Sequence, residues 1–212
     1  MKDKLKQAEI RIRYNLNRPY LEVPIEAMPL LIADTEFNMD NPEEREYLIT
    51  KLSSLAEVKR IPIHVPGVTD TLHQVSYQDG GYLYAVDESG AVVIVSQYEE
   101  LRLPEFSPVE EALEISNLWI DPVLRGSVGR RLFTAILSEF RSVVSDGAQT
   151  ALGRAFLMER IRESLSRRVL VYLIDEKKCL PCSSIDDLKR LTPVAWGNTE
   201  AHRDRRWLFV KE

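Results

Sequence analysis

From residue 81 onward the apolar positions fall into short, regular patterns. Segments 81–86 (GYLYAV) and 91–97 (AVVIVSQ) are dense in β-branched and aromatic residues and flank Asp87-Glu88-Ser89-Gly90, so they predict a β-hairpin. Segment 113–120 (LEISNLWI) predicts a third strand, stopped by Asp121-Pro122. From Ser127 to about Val144 the apolar residues recur with the helical period, from Val128, Leu132 and Phe133 to Val143 and Val144, and predict one amphipathic helix. Segment 148–153 predicts a short strand, 156–165 a helix, and 169–174 and 207–210 two further strands.

The first third of the chain is less regular. Alternation over 8–14 (AEIRIRY) predicts a strand, and the proline-punctuated stretch 19–29 a short helix. Asn41-Pro42-Glu43-Glu44 is a helix start, because Asn caps, Pro is tolerated in the first turn and acids favour the positive end of the dipole. The helix is expected to run to about Val58. Between residues 61 and 80 the pattern is irregular, and His64 and His73 are expected in an exposed loop.

A chain of 212 residues with 44% hydrophobic and 29% charged residues has the composition of a core-forming globular protein. No apolar run approaches the roughly eighteen residues of a membrane span, and Met1–Lys6 lacks the apolar segment of a secretory signal. A cytoplasmic protein without membrane association is expected. The net charge of −5 argues against general nucleic-acid binding. Cys179 and Cys182 form a C-x-x-C pair in a predicted loop, but two more ligands for a zinc site are not near in sequence, and no metal is expected. Tail residues 202–206 are expected to form a solvated turn, and the arginines and glutamates between 159 and 167 a charged outer helix face.

The chemistry concentrates where the 113–120 strand meets the next helix. Arg125-Gly126-Ser127-Val128-Gly129-Arg130 joins small residues and fixed positive charge to a helix N-terminus. Free N–H groups and the helix dipole favour an anion there, and glycine lets a phosphate approach the main chain. The same segment is open to a plainer reading, an ordinary strand-to-helix turn with a Ser cap.

Here the sequence resembles the GNAT superfamily of N-acyltransferases. YLYAVDESGAVVIVSQ is similar to that family's second and third strands, LEISNLWIDPVLRGSVGRRLFTAIL to its fourth strand, pyrophosphate loop and third helix, and AQTALGRAFLMERIRESLSRRVLVYLID to the strand–helix–strand that follows. The resemblance covers 81–175 and implies an α/β fold: a mixed, mostly antiparallel twisted sheet flanked by helices, one domain over 1–212. It implies acetyl-CoA or another acyl-CoA as acyl donor and a small-molecule or protein amine as acceptor. Main-chain groups of Leu118, Trp119 and Ile120 would bind the pantetheine arm. Arg125, Gly126, Ser127, Gly129 and Arg130 would hold the pyrophosphate. Glu114 stands where some members carry the general base, while the plainer reading makes it a solvent-facing carboxylate near a strand end; Trp119 reads also as a core residue.

Two departures stand out. Counted from Arg125, the positions that are small in the family hold Val128 and Arg130, and no tyrosine lies between Ala148 and Val171 to protonate the leaving thiolate. Two alternatives follow: a GNAT-like module without acyl-CoA chemistry that works through protein contacts, and an enzyme resembling the acyl-homoserine-lactone synthases. A homodimer is compatible with all three.

Overall fold

The computed structural model describes residues 41, 43–44, 47–48, 50, 59–63, 68, 70–77, 80–124, 127–147, 149, 151–175, 177–196 and 205–212. In chain order the elements are strands β1 (Lys59–Pro62), β2 (Thr71–Tyr77), β3 (Gly80–Val86), β4 (Val92–Arg102) and β5 (Glu111–Ile120), helix α1 (Ser127–Phe140), β6 (Ser142–Ser145), α2 (Ala151–Leu165), β7 (Val169–Ile174), β8 (Cys179–Pro181), α3 (Ile185–Ala195) and β9 (Arg206–Lys211). Among the described residues the strands form one nine-stranded sheet in the order β1-β2-β3-β4-β5-β6-β9-β7-β8. Every neighbouring pair is antiparallel except β5–β6. The α/β class and the mostly antiparallel sheet are as the sequence implies.

Alternate residues of the strands feed two clusters. On one face Leu113, Val143, Val171 and Phe209 meet Leu132 and Ile136 of α1, Ile161 of α2 and Leu188 of α3. On the other, Ala112, Val144, Ile174 and Leu208 form a smaller cluster. Each such side chain removed from water stabilises by about 1.5–3 kcal/mol, so the helix-bearing face dominates.

Several expectations are corrected. The helix expected over 127–144 ends at Phe140, because Arg141 adopts a left-handed backbone (φ 63°), and Val143 and Val144 belong to β6 instead. Adjacent β-branched residues fit a strand that feeds both clusters. The strand expected over 148–153 is displaced: α2 begins at Ala151. The irregular 61–80 stretch holds half of β1 and all of β2. Its alternation is disguised by Gln74, buried although polar, whose Nε2 donates to the Tyr98 hydroxyl at 2.9 Å. His73 is likewise no loop residue; it stacks on Tyr84 with ring centroids 4.8 Å apart.

α3 has no counterpart in the sequence reading. Ser184 caps it, accepting from the Asp187 N–H at 3.1 Å. The hairpin at Asp87–Gly90 is as expected, with Gly90 at φ 86°. Asn41 caps its helix, taking the Glu43 N–H at 3.0 Å, and Glu43, Glu44, Tyr47, Leu48 and Thr50 are helical. The strand expected over 8–14 and the helix over 19–29 lie outside the described residues. Among the described residues no helix is long and apolar enough to cross a membrane.

Close approach fixes one glycine. A Cβ on Gly81 would stand 1.9 Å from the Val75 carbonyl oxygen and 2.7 Å from the Tyr98 hydroxyl. Tyr98 is fully buried, and its hydroxyl also pairs with Ser76 Oγ at 2.8 Å. Gly81→Ala is therefore expected to cost about 1–3 kcal/mol by overpacking. Thermal denaturation should show a midpoint lower by roughly 2–4 °C per kcal/mol, whereas Gly90→Asn, at an open turn, should shift it little.

Candidate active site at the parting of two strands

β5 and β6 pair in parallel only where Leu113, Glu114 and Ile115 face Val143, Val144 and Ser145. β6 then stops while β5 runs on to Ile120, so the two strands part. β5 also carries one residue more than β4 opposite it, since Val95 faces Trp119 and Gln97 faces Ser116. Such a bulge increases local twist and re-aims the strand. The parting opens a cleft of about 740 Å³. Leu118, Trp119 and Ile120 line one side, Ser145 and Asp146 the other, and Gly129 of α1 and Phe156 of α2 close the helix side.

Hydrogen bonds hold the turn after β6 away from β5. Ser145 Oγ accepts from the Trp207 N–H at 3.0 Å and from Gln149 Nε2 at 3.0 Å. Gln149 also donates to the Asp146 carbonyl and accepts from the Trp196 indole N–H. The turn is thereby tied to β9 and to the end of α3. On the helix side, a Cβ on Gly129 would come within 3.1 Å of Phe156 Cε2 and 3.5 Å of Ile120 Cδ1. Gly129 thus lets the first turn of α1 approach both the α2 aromatic ring and the end of β5.

The residues singled out from sequence fall into three groups. Leu118, Trp119, Ile120 and Gly129 come together at the cleft; Trp119 is buried and Leu118 partly exposed. Arg125 and Gly126 lie outside the described residues, and Ser127 is the first residue of α1. Arg130 is not a wall of the cleft. Its Nε pairs with Glu163 Oε1 at 2.7 Å, and it lines a separate groove of about 700 Å³ with Arg131 and Arg167.

Glu114 alternates with Leu113 and Ile115 and so lies on the face away from the helices. It is 8% exposed, which overturns the solvent-facing reading. Arg206 Nε stands 3.3 Å from its Oε1. Burial pushes the Glu114 carboxyl above its usual pKa, the Arg206 charge and hydrogen bond pull it back, and Glu99 and Asp146 add to the rise. Asp146 is raised too, by burial, with Gln149 and Arg206 opposing. Arg206 therefore belongs to β9 and to this cluster rather than to a solvated turn, and Arg205 donates to the Val194 carbonyl.

Asp146 and Gln149 escaped the sequence reading, and Arg206 was read only as part of a turn, because nothing local marks them for a site: they meet only through strand order. The α2 face also needs correcting. Arg160, expected on a charged outer face, is 5% exposed and stacked 5.2 Å from the centroid of the Phe156 ring.

Only one of the two cysteines lies in a loop: Cys179 opens β8, whereas Cys182 is buried in the connection between β8 and α3. Burial pushes both thiols up to about 11; at Cys182 Asp187 adds to the rise and Arg190 opposes it. A thiol reacts through its thiolate, so both should react slowly with a disulfide reagent at neutral pH. The rate in the native protein should climb only as the pH nears 11, and full reactivity at pH 7 without unfolding would contradict this.

No protein-family model and no curated protein matches the chain. Among solved structures it is similar to a chain from Bordetella pertussis described as a GnaT-family acetyltransferase, at 12% identity over 63% of this chain and 66% of that one, with a TM-score of 0.26. The chain thus spans just under two thirds of that protein's length. A likeness this distant carries no weight on function.

Proposed function

We propose that this chain transfers an acyl group from an acyl-CoA to an amine. The observation that carries the proposal is the parting of β5 from β6 beside the N-terminus of α1. An extended amide-bearing arm such as pantetheine suits a strand whose neighbour has turned away, much as a peptide adds to a sheet. The diphosphate at the other end of the donor suits the start of α1, where the first N–H groups have no intrahelical acceptor. Leu118, Trp119 and Ile120 would then flank the arm, and Ser127 and Gly129 the diphosphate end.

The chemistry follows from the carboxylates at the far side of the parting. The amine nitrogen attacks the thioester carbonyl, the carbon–sulfur bond breaks, and the thiolate leaves. The proton lost by nitrogen goes to Glu114, whose raised pKa suits a base working nearer neutrality than an exposed carboxylate. α2 carries no tyrosine, and Tyr172, on the same face of the sheet as Glu114, lies three strands away on β7. The leaving thiolate would therefore depart unassisted, which a thiol pKa of about 8.5 permits.

Two measurements test this. Acetyl-CoA at about 100 times its dissociation constant should stabilise the chain by roughly 2.7 kcal/mol, a rise of several degrees in the unfolding midpoint. No shift with millimolar acetyl-CoA or free CoA sinks the enzyme and leaves a binding module.

Glu114→Gln should keep that shift and slow acyl transfer by about 10²–10⁴-fold. In the parent chain kcat/KM should rise with pH through a carboxyl pKa above the ordinary glutamate value, and the variant should lose this limb. The folded chain holds the Glu114 proton more tightly than the unfolded one. Its contribution to stability is thus complete below the unfolded pKa and falls as pH rises through the folded value. Urea unfolding of Glu114→Gln should lack that pH-dependent loss.

A further inference from the structure

Arg160 is the only charged residue of α2 that is buried, and its surroundings do not use all of its donors. Nη1 stands 3.0 Å from Glu163 Oε2, and Nη2 3.5 Å from Oε2 of the mostly exposed Glu159. Glu163 is already shared, since its Oε1 takes Arg130 Nε at 2.7 Å. Among the described residues Arg160 Nε has no hydrogen-bond partner. Burial disfavours the charged guanidinium, Glu163 and Glu159 support it, and Arg130 and Arg167 oppose it. Two arginines therefore draw on one partly buried carboxylate. A buried donor without an acceptor is costly, and the cost is relieved when an anion arrives.

The position of this side chain gives that anion a place. Arg160 lies over the Phe156 ring, and the same ring packs against Gly129 in the first turn of α1. Arg130, on that turn, is joined to Arg160 through Glu163. The guanidinium is thus held beside the end of α1 whose N–H groups lack intrahelical acceptors. We infer that Arg160 is a binding residue for the diphosphate of the acyl-CoA, its Nε completing an anion site that the first turn of α1 begins. The inference rests on the acyl-CoA reading above. Stacking on Phe156 pre-orients the planar fork, which arginine supplies and lysine does not.

Calorimetric titration of the full chain with CoA and with pantetheine, which lacks the phosphates, tests the assignment. The parent should bind CoA more tightly than pantetheine. Arg160→Gln should weaken CoA by about tenfold or more, the size of a lost charge-assisted hydrogen bond, and leave pantetheine unchanged. Glu163→Gln, which frees both guanidinium groups, should tighten CoA several-fold. Equal losses for CoA and pantetheine in Arg160→Gln, or no loss for either, overturn the assignment. Should Arg160→Gln fail to fold, Glu163→Gln decides, because unchanged or weaker CoA binding there overturns it as well. A parent that binds CoA no better than pantetheine removes the Arg160 role and spares the acyl-CoA reading. A parent that binds neither removes both.

Discussion

Three rungs of parallel pairing between β5 and β6, and their abrupt end, set the geometry of the cleft. Were the ladder to continue, β6 would cover Ser116–Ile120 and the helix side would have no opening beneath it. What ends it is a set of competing hydrogen bonds. Ser145 spends its hydroxyl on the Trp207 N–H and on Gln149, and Gln149 is gripped in turn by Trp196. The bulge at Ser116–Trp119 works in the same direction from the other strand. The opening is thus built by residues from β5, β6, β9 and the end of α3.

Buried charge is the second organising feature. Glu114 with Arg206 and Arg160 with Glu163 lie on opposite sides of the sheet region around the cleft, one pair beyond the parting and one beside the first turn of α1. Such pairs add little net stability, because desolvation offsets most of their attraction. What each does is keep a charge in a dry place with part of its valence unspent. In the proposed reaction one would receive a proton and the other would face phosphate.

The half of the chain with strong periodicity was legible. The hairpin 81–97, the strand ending at Asp121, the start of α1 at Ser127 and the strand 169–174 all follow from local pattern. Errors arose where tertiary partners override the pattern. Val143 and Val144 continue a helical stripe on paper, but Arg141 breaks the helix and hands them to the sheet. Gln74 spoils an alternation because Tyr98 satisfies it in the interior. The Ser184-x-x-Asp187 spacing is a capping signal for α3, masked by Pro193 in the last turn. For the site, the strand that holds Leu118–Ile120 could be found from sequence. Asp146, Gln149, Arg160 and Arg206 could not, since their environments depend on which strands and helices become neighbours.

The order of strands bears on how the sheet is assembled. β9 lies between β6 and β7, although both precede it in the chain. As the polypeptide is synthesised, β1 through β5 can zip together as successive antiparallel neighbours, but β6 and β7 must each wait with one edge uncovered. Trp207 and Phe209, the aromatic core of that central position, arrive only when residues 206–211 have emerged. Closure of the sheet then needs contacts across more than sixty residues of intervening chain, as between Ser145 and Trp207. Pairings so distant in sequence form slowly. The cleft is therefore among the last parts of this molecule to exist, and until then two apolar strand edges stand open to whatever chaperone or neighbouring chain reaches them first.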